Sequence, residues 1–352
     1  MKMMFINYYS RIRNTLHGDY DEMMAKDKGR IVTKEVEASN WSINAKFNYR
    51  NRANKLARKI AEFNNRYDNN YVTLYQEFRI PKRTGGYRIL HAPYEPLKSL
   101  QREVLSFLTK DSSLLPHNAV HSFIKHRNCK TAMEAHQASG ARWFLKLDIK
   151  DFFDSCTLDY ALAVCRALHP LSLLYKDILK QLLSVCFFRN KLPQGAPTSP
   201  IISNIYLQFF DHVLTKELRG YTYTRYADDL LISKSTEFDW QDVVRQVQII
   251  LPPGLNIKSN KTRYGSSNGS NWNLGLMYNK DLDITVGYRK KHLLKNKIHN
   301  LFNNKPEENT PEFLSWLELL YSLRGLLSYY KFIEPEYFTR LEEKYKALGY
   351  DL

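Results

Sequence analysis

With 352 residues, 43% of them hydrophobic and 25% charged, the chain can bury a sizeable core as one large domain or two to three smaller units. Its 52 Lys and Arg against 36 Asp and Glu leave a formal charge of +16, which favours a polyanionic partner, while 24 Tyr and 18 Phe offer stacking surface for unpaired bases. No apolar run is long enough to span a bilayer, the N-terminus lacks a signal-peptide core, and the four cysteines hold no C-x-x-C pair, so a reduced cytoplasmic protein without a zinc or disulfide framework is expected.

Residues 1–70 are polar and basic, with helical patches. In "FNYRNRANKLARKIAEFNNRY" Ala53, Leu56 and Ile60 share one helical face, with arginines and lysines around the rest. Residues 71–93, "YVTLYQEFRIPKRTGGYRILHAP", predict two strands joined by a turn at Thr84-Gly85-Gly86. A helix follows over "LKSLQREVLSFLTK". In "ARWFLKLDIKDFF" Trp143, Leu145 and Leu147 face one way and Phe144, Lys146 and Asp148 the other, so a strand ends at an acid. "LPQGAPTSPIISNIYLQFFDHVL" is a loop entering a helix, with Ser199 as N-cap and Pro200 as first helical residue. "YTYTRYADDLLIS" predicts two short strands with Ala227-Asp228-Asp229 at their turn. Further strands and a basic helix are expected in "SNWNLGLMYNKDLDITVGYRKKHLLKNKIHN". In the last fifty residues Trp316, Leu319, Leu320 and Leu323 form an apolar helical face. There is no internal repeat, low-complexity tract or long linker.

The adjacent acids Asp228 and Asp229 stand in an apolar, aromatic run. Two unit charges about 4 Å apart repel by roughly 4 kcal/mol at an effective dielectric near 20. A shared proton or a divalent cation removes that cost. An Asp-Asp pair is elsewhere a solvated turn, but here a tyrosine precedes it and Leu-Leu-Ile follows, leaving little room for water. If the strand ending at Asp148 lies beside this hairpin, three acids converge. Such a cluster can hold two metals about 3.5–4 Å apart, as nucleotidyl transfer onto a 3′-hydroxyl requires.

Those residues carry a resemblance. "YADD" at Tyr226–Asp229 resembles the catalytic box of reverse transcriptases, "FLKLDIKDFFDSC" their first metal-binding box, and "LPQGAPTSPIISNIYL" the box between them in bacterial enzymes. All three stand in family order. "RIPKRTGGYRILHAP" matches the fingers, "NIKSNKTRYG" the segment after the hairpin, "NLGLMYN" the primer grip and "SLRGLLSYYKFIEPEY" the thumb, so the resemblance covers about residues 71–340. It implies an α+β right-hand polymerase fold: a basic N-terminal helical extension (1–70), fingers (71–140), a palm whose antiparallel sheet packs on helices, with fingers elements interleaved (141–285), and a short helical thumb (286–352).

The resemblance also assigns roles. Asp148 and Asp228 would be the main metal ligands, Asp229 would complete the cluster, and the Ile149 carbonyl would add an oxygen; the cofactor is two Mg²⁺ ions, with Mn²⁺ as substitute. Phe153, five residues after Asp148, matches the steric gate that rejects a ribose 2′-hydroxyl, and Phe152 is read as the core ring. Lys82 and Arg88, flanking Gly85-Gly86, match the clamp on the incoming triphosphate, whereas Arg83 is read as a surface charge. Gln194 and Gly195 match the loop against nucleotide and template, and Lys261 matches a group assisting the pyrophosphate. Tyr226, Leu274 and Gly275 are placed along the primer. The helix from Gly287, with Arg289, Lys290, Lys291, Lys295 and Lys297, would track a nucleic-acid backbone. Arg324-Gly325 and Tyr329-Tyr330 are read as thumb packing.

The compact length, with no nuclease signature or DNA-binding tail after the thumb, is similar to retron enzymes or other defence-associated bacterial reverse transcriptases and unlike a full group II intron protein. Two departures from the retron pattern favour the wider defence-associated class. "NAVH" at Asn118–His121 and "TAMEAH" at Thr131–His136 do not match the Asn-Ala-x-x-His box, and Asn273-Leu274-Gly275 stands where Val-Thr-Gly is usual. Diversity-generating enzymes are a third class. The implied partners are dNTPs, a DNA product and a cognate non-coding RNA template, with an effector protein or further polymerase subunits, and no membrane. Residues 1–66 offer a docking surface for that RNA. Three rivals remain: a template-independent or protein-primed polymerase of the same fold, a non-catalytic RNA-binding or maturase-like protein, and a metal-dependent nuclease. The intact acids oppose the scaffold reading, and a nuclease does not explain the Lys82–Arg88 pair or Phe153.

Overall fold

The computed structural model describes residues 41–350 apart from 69, 83, 84, 111–113, 115, 268–272 and 309. The helical patches expected in residues 1–40, Arg83 and the turn residue Thr84 lie outside the described residues.

Ser42 caps α1 (Ile43–Arg66) by accepting the Ala45 amide, and Tyr49, Ala53, Leu56 and Ile60 bury the expected face. The predicted hairpin follows as β1 (Tyr75–Pro81) and β2 (Tyr87–Pro93), then α2 (Glu95–Thr109). A capping box between Asn128 and Thr131 starts α3 (Cys129–Ala138), which leads into β3 (Trp143–Asp148), the strand that ends at the acid. Helical segments α4 (Phe152–Ser155), α5 (Leu158–Ala167), α6 (Lys176–Ser184), α7 (Ser199–Tyr206) and α8 (Gln208–Glu217) come next. The hairpin β4 (Thr222–Tyr226) and β5 (Asp229–Lys234) is followed by α9 (Trp240–Ile250), β6 (Arg263–Ser266) and a small pair, β7 (Met277–Tyr278) and β8 (Ile284–Thr285). The chain closes with α10 (Tyr288–Asn303), α11 (Pro311–Ile333) and α12 (Pro335–Ala347).

The central sheet is antiparallel, in the order β4-β5-β3-β6. Alternation divides its side chains between two cores. Leu145, Leu147, Leu230 and Ile232 enter the larger core with residues of α5 to α9. Phe144 and Leu231 enter a second core, which Met133 of α3 shares with α10, α11 and α12. The sheet is therefore covered on both faces, and the acidic end of β3 projects toward the side shared with the C-terminal helices. This α+β arrangement is the expected one.

Two details differ from expectation. The N-cap of α7 is Thr198 and Pro200 is the second helical residue, because the Ser199 hydroxyl donates to the Pro193 carbonyl (2.7 Å) and closes the preceding loop instead of capping the helix. On α11, Trp316, Leu320 and Leu323 are buried, but Leu319 is 61% exposed and lines an open groove against α10. One helical face is wider than the seam that α10 and α12 cover. The four cysteines carry free thiols. Among the described residues no helix is long and apolar enough to cross a membrane.

Candidate active site

The β3–β5 register sets Asp148 directly opposite Asp229. Directly opposed residues project to the same face, so their carboxylates share it with Lys146 and, through the Tyr226–Asp229 pair, with Tyr226. Asp228 occupies the two-residue loop between β4 and β5, and its carbonyl accepts the Ile149 amide (2.9 Å). The Lys150 amide donates to the Asn256 carbonyl (2.8 Å), so the Ile149 carbonyl, anti to it across the trans peptide, points away from Asn256, to the side of this turn. The structure thus brings Asp148, Ile149, Asp228 and Asp229 together at one end of the sheet.

Their charges are compensated by lysines. Lys261 Nζ lies 2.6 Å from an Asp148 oxygen, and Lys146 Nζ lies 3.1 Å from Asp229. Hydrogen bonding to Asp148 is the main cause that holds the Lys261 ammonium above its ordinary pKa. Burial first, then repulsion from Asp229 and Asp148, pushes the Asp228 carboxyl up to about 6. Asp148 and Asp229 are each paired with a lysine, and no three acidic, histidine or cysteine side chains among the described residues close on a point as a ready metal cage. The donor set nevertheless fits a hard divalent cation: carboxylate oxygens, a backbone carbonyl and one acid whose charge is under-compensated. Lys146 was missed as a site residue, although strand alternation had already put it on the face of Asp148.

Around this cluster, Phe152 is buried and Phe153 half-buried, their ring centroids 5.4 Å apart. The Phe153 carbonyl accepts the Leu192 amide (3.2 Å), which brings the Leu-Pro-Gln-Gly loop alongside. That loop leans on β2: the His91 backbone amide donates to the Gln194 carbonyl (2.8 Å). Gly195 has φ +122°, and a Cβ there would stand 3.1 Å from the His91 carbonyl oxygen, so only glycine permits the approach. Lys82 and Arg88 stand exposed at the tip of the β1–β2 hairpin, where the Lys82 amide bonds the Gly86 carbonyl (2.9 Å). Neither residue is among the ion pairs of the acidic cluster.

Leu274 (φ 52°) and Gly275 (φ 78°) form a tight turn closed by two bonds between Asn273 and Leu276, and Lys290 donates to the Gly275 carbonyl. Lys291 is turned inward onto Glu334 and over the Tyr337 ring (4.1 Å), and Lys295 lies 5.8 Å from the same ring. Arg289 and Lys297 are exposed. The basic helix expected to face nucleic acid as a set therefore spends Lys291 on packing against α12. Tyr330 is buried as expected, whereas Tyr329 is 39% exposed and hydrogen-bonds Cys129 (3.3 Å).

Behind the turn lies a polar cluster that sequence reasoning did not single out. Arg225 and Asp211, both fully buried, form a two-pronged pair (Nε–Oδ1 2.8 Å, Nη2–Oδ2 2.7 Å), and Tyr223 donates to the same carboxylate (2.8 Å). Burial opposes the charged guanidinium, but Asp211 outweighs it and holds the Arg225 pKa above its ordinary value. On the opposite face, buried His136 bonds Thr224 of β4 and Ser233 of β5, bracing the hairpin from α3. Burial holds its pKa down to about 3, so the ring is neutral, with one nitrogen donating and the other accepting.

The family model for reverse transcriptases (RNA-dependent DNA polymerases) matches residues 80–315. The chain is 32% identical over 295 residues to a retron Mx65 reverse transcriptase of Myxococcus xanthus, covering 79% of this chain and 66% of that protein. It is 28% identical over 286 residues to a retron Ec73 reverse transcriptase of Escherichia coli, covering 77% and 86%. Among solved structures, an apo telomerase of Candida tropicalis truncated of its C-terminal domain superposes with a TM-score of 0.44 at 14% identity, covering 60% of this chain and 54% of that one. The unusual residues at the Asn-Ala-x-x-His and Val-Thr-Gly positions thus coexist with similarity to retron enzymes.

Proposed function

The chain belongs to the reverse transcriptase family, and on that premise we propose that it extends a primer 3′-hydroxyl with dNTPs, copying a dedicated non-coding RNA in a cytoplasmic, retron-like antiphage defence system. The single observation that carries this reading is Asp148 opposed to Asp229 across β3–β5, with Asp228 in the adjoining turn.

Asp148, Asp228, Asp229 and the Ile149 carbonyl would hold two divalent ions, Mg²⁺ or Mn²⁺. Bound there, the ions supply neutralising charge and a more acidic 3′-hydroxyl. The chain's own residues do the rest. Phe153 excludes a ribose 2′-hydroxyl beneath the sugar. Lys82 and Arg88 hold the triphosphate, a task suited to their exposed place on the hairpin. Gln194 and Gly195 seat the nucleotide against the loop that β2 supports. Lys261 pairs with Asp148 (2.6 Å) and can pass a proton to the departing pyrophosphate. Tyr226 and the Leu274–Gly275 turn steady the primer, and Arg289, Lys290, Lys295 and Lys297 follow the duplex backbone. The basic outer surface of α1 docks the structured part of the RNA, and an effector protein or further subunits complete the assembly.

The test is to incubate the protein and its co-purified RNA with labelled dNTPs and Mg²⁺, then sequence the product. Incorporation that copies the RNA and disappears in Asp228→Asn supports the reading. Clean RNA binding with no incorporation by the unaltered protein refutes it.

A further inference from the structure

The β4–β5 hairpin turns through two residues, Ala227 and Asp228, between the paired Tyr226 and Asp229. Ala227 has φ 56°, a left-handed backbone that a side chain disfavours. A two-residue hairpin loop with positive φ at its first position commonly carries glycine there. Alanine in this place needs something to hold it.

Both sides of Ala227 are held. Its amide donates to the Ser122 hydroxyl (2.8 Å), and its carbonyl accepts from Arg225 Nη1 (3.2 Å). The same nitrogen reaches Asn204 Oδ1 (3.2 Å), and Asn204 Nδ2 donates to the Ser122 carbonyl (3.0 Å), which closes a ring of hydrogen bonds. Asp211 grips the far side of Arg225. Ser122, Asn204, Asp211 and Arg225 are buried, as is Ala227. Residues 119–121 are stitched to Arg225 by two backbone bonds, of 2.7 and 2.8 Å, which fixes where Ser122 stands.

We infer that Ser122, backed by Asn204 and Arg225, is a positioning residue for the reaction: it locks Ala227 in the left-handed conformation that aims the next residue, Asp228, at Asp148 and Asp229. The inference rests on the polymerase reading. Without the lock, the turn relaxes to a conformation easier for alanine, and Asp228 leaves the cluster. Glycine adopts positive φ without that penalty, so Ala227→Gly should make the lock dispensable.

The experiment compares the unaltered protein, Ser122→Ala and Ser122→Ala/Ala227→Gly in three measurements: dNTP incorporation, Mn²⁺ binding followed by electron paramagnetic resonance, and Tm. Ser122→Ala is expected to lower kcat about tenfold or more, the size of the left-handed penalty, with little change in KM for dNTP, and to weaken Mn²⁺ binding. Adding Ala227→Gly should restore most of the kcat and the Mn²⁺ affinity. It should not restore Tm, because the buried amide of residue 227 still lacks its acceptor. A merely structural role predicts that kcat follows Tm through the series. Unchanged kcat and Mn²⁺ binding in Ser122→Ala, or losses that glycine does not recover, overturn the inference. If the unaltered protein incorporates nothing, the polymerase reading fails, and Mn²⁺ binding across the same series still decides the positioning role. Absence of Mn²⁺ binding by the unaltered protein also overturns it.

Discussion

Asp228→Asn should stabilise the metal-free protein while abolishing its activity. Burial and two neighbouring acids lift the Asp228 carboxyl from an ordinary 3.8 to about 6. Each pKa unit is 1.36 kcal/mol, so the ionised group costs the fold on the order of 2–3 kcal/mol. The sign follows from linkage. Between pH 3.8 and about 6 the folded state keeps a proton that the unfolded state has released, so stability falls as pH rises through that window. The cost is complete above the folded value and absent below the unfolded one. Asparagine keeps the shape and removes the charge. Urea unfolding in EDTA, followed by tryptophan fluorescence, should therefore show Asp228→Asn with the higher midpoint at pH 8. Its advantage should shrink as pH falls through 6 and vanish near 3.8. A variant no more stable than the unaltered protein at pH 8, or a gain independent of pH, would refute the view that this carboxylate is held ionised against the preference of the fold.

Three further outcomes are expected. Asp211→Asn strands a fully buried guanidinium and should cost about 3–5 kcal/mol in urea melts, while an apolar replacement of both Asp211 and Arg225 should cost less than the worse single change. Phe153→Ala should admit ribonucleotides in a competition assay with dNTPs; unchanged sugar selection would remove Phe153 from the gate. Gly195→Ala forces a side chain into a φ of +122° and against the His91 carbonyl, so Tm should fall by a few degrees, corresponding to about 1–3 kcal/mol, together with dNTP incorporation.

Much of the site was legible because its residues act through local pattern. Strand alternation alone put Asp148 and Lys146 on one face and Leu145 and Leu147 on the other, and the two cores divide along that line. The Asp-Asp pair in an apolar hairpin declared a charge that needs a partner. The basic composition and the order of the motif boxes pointed to a nucleic-acid polymerase, and the family comparison agrees.

What the chain alone did not disclose depends on partners far apart in sequence. Ser122 meets Ala227 across 105 positions, and His136 meets Ser233 across 97, so no local period reports either contact. Nothing local marks Arg225 as buried; its partner Asp211 meets it only when β4 is laid over α8. Lys291 looks like its neighbours on a basic helix until Glu334 and Tyr337 take it, and Leu319 looks like a core residue until the seam proves too narrow to cover it. Residue type and spacing determine which faces and charges an element offers. Only the packing of one element on another decides which of them are paired, and that pairing sets the orientation of the acidic turn.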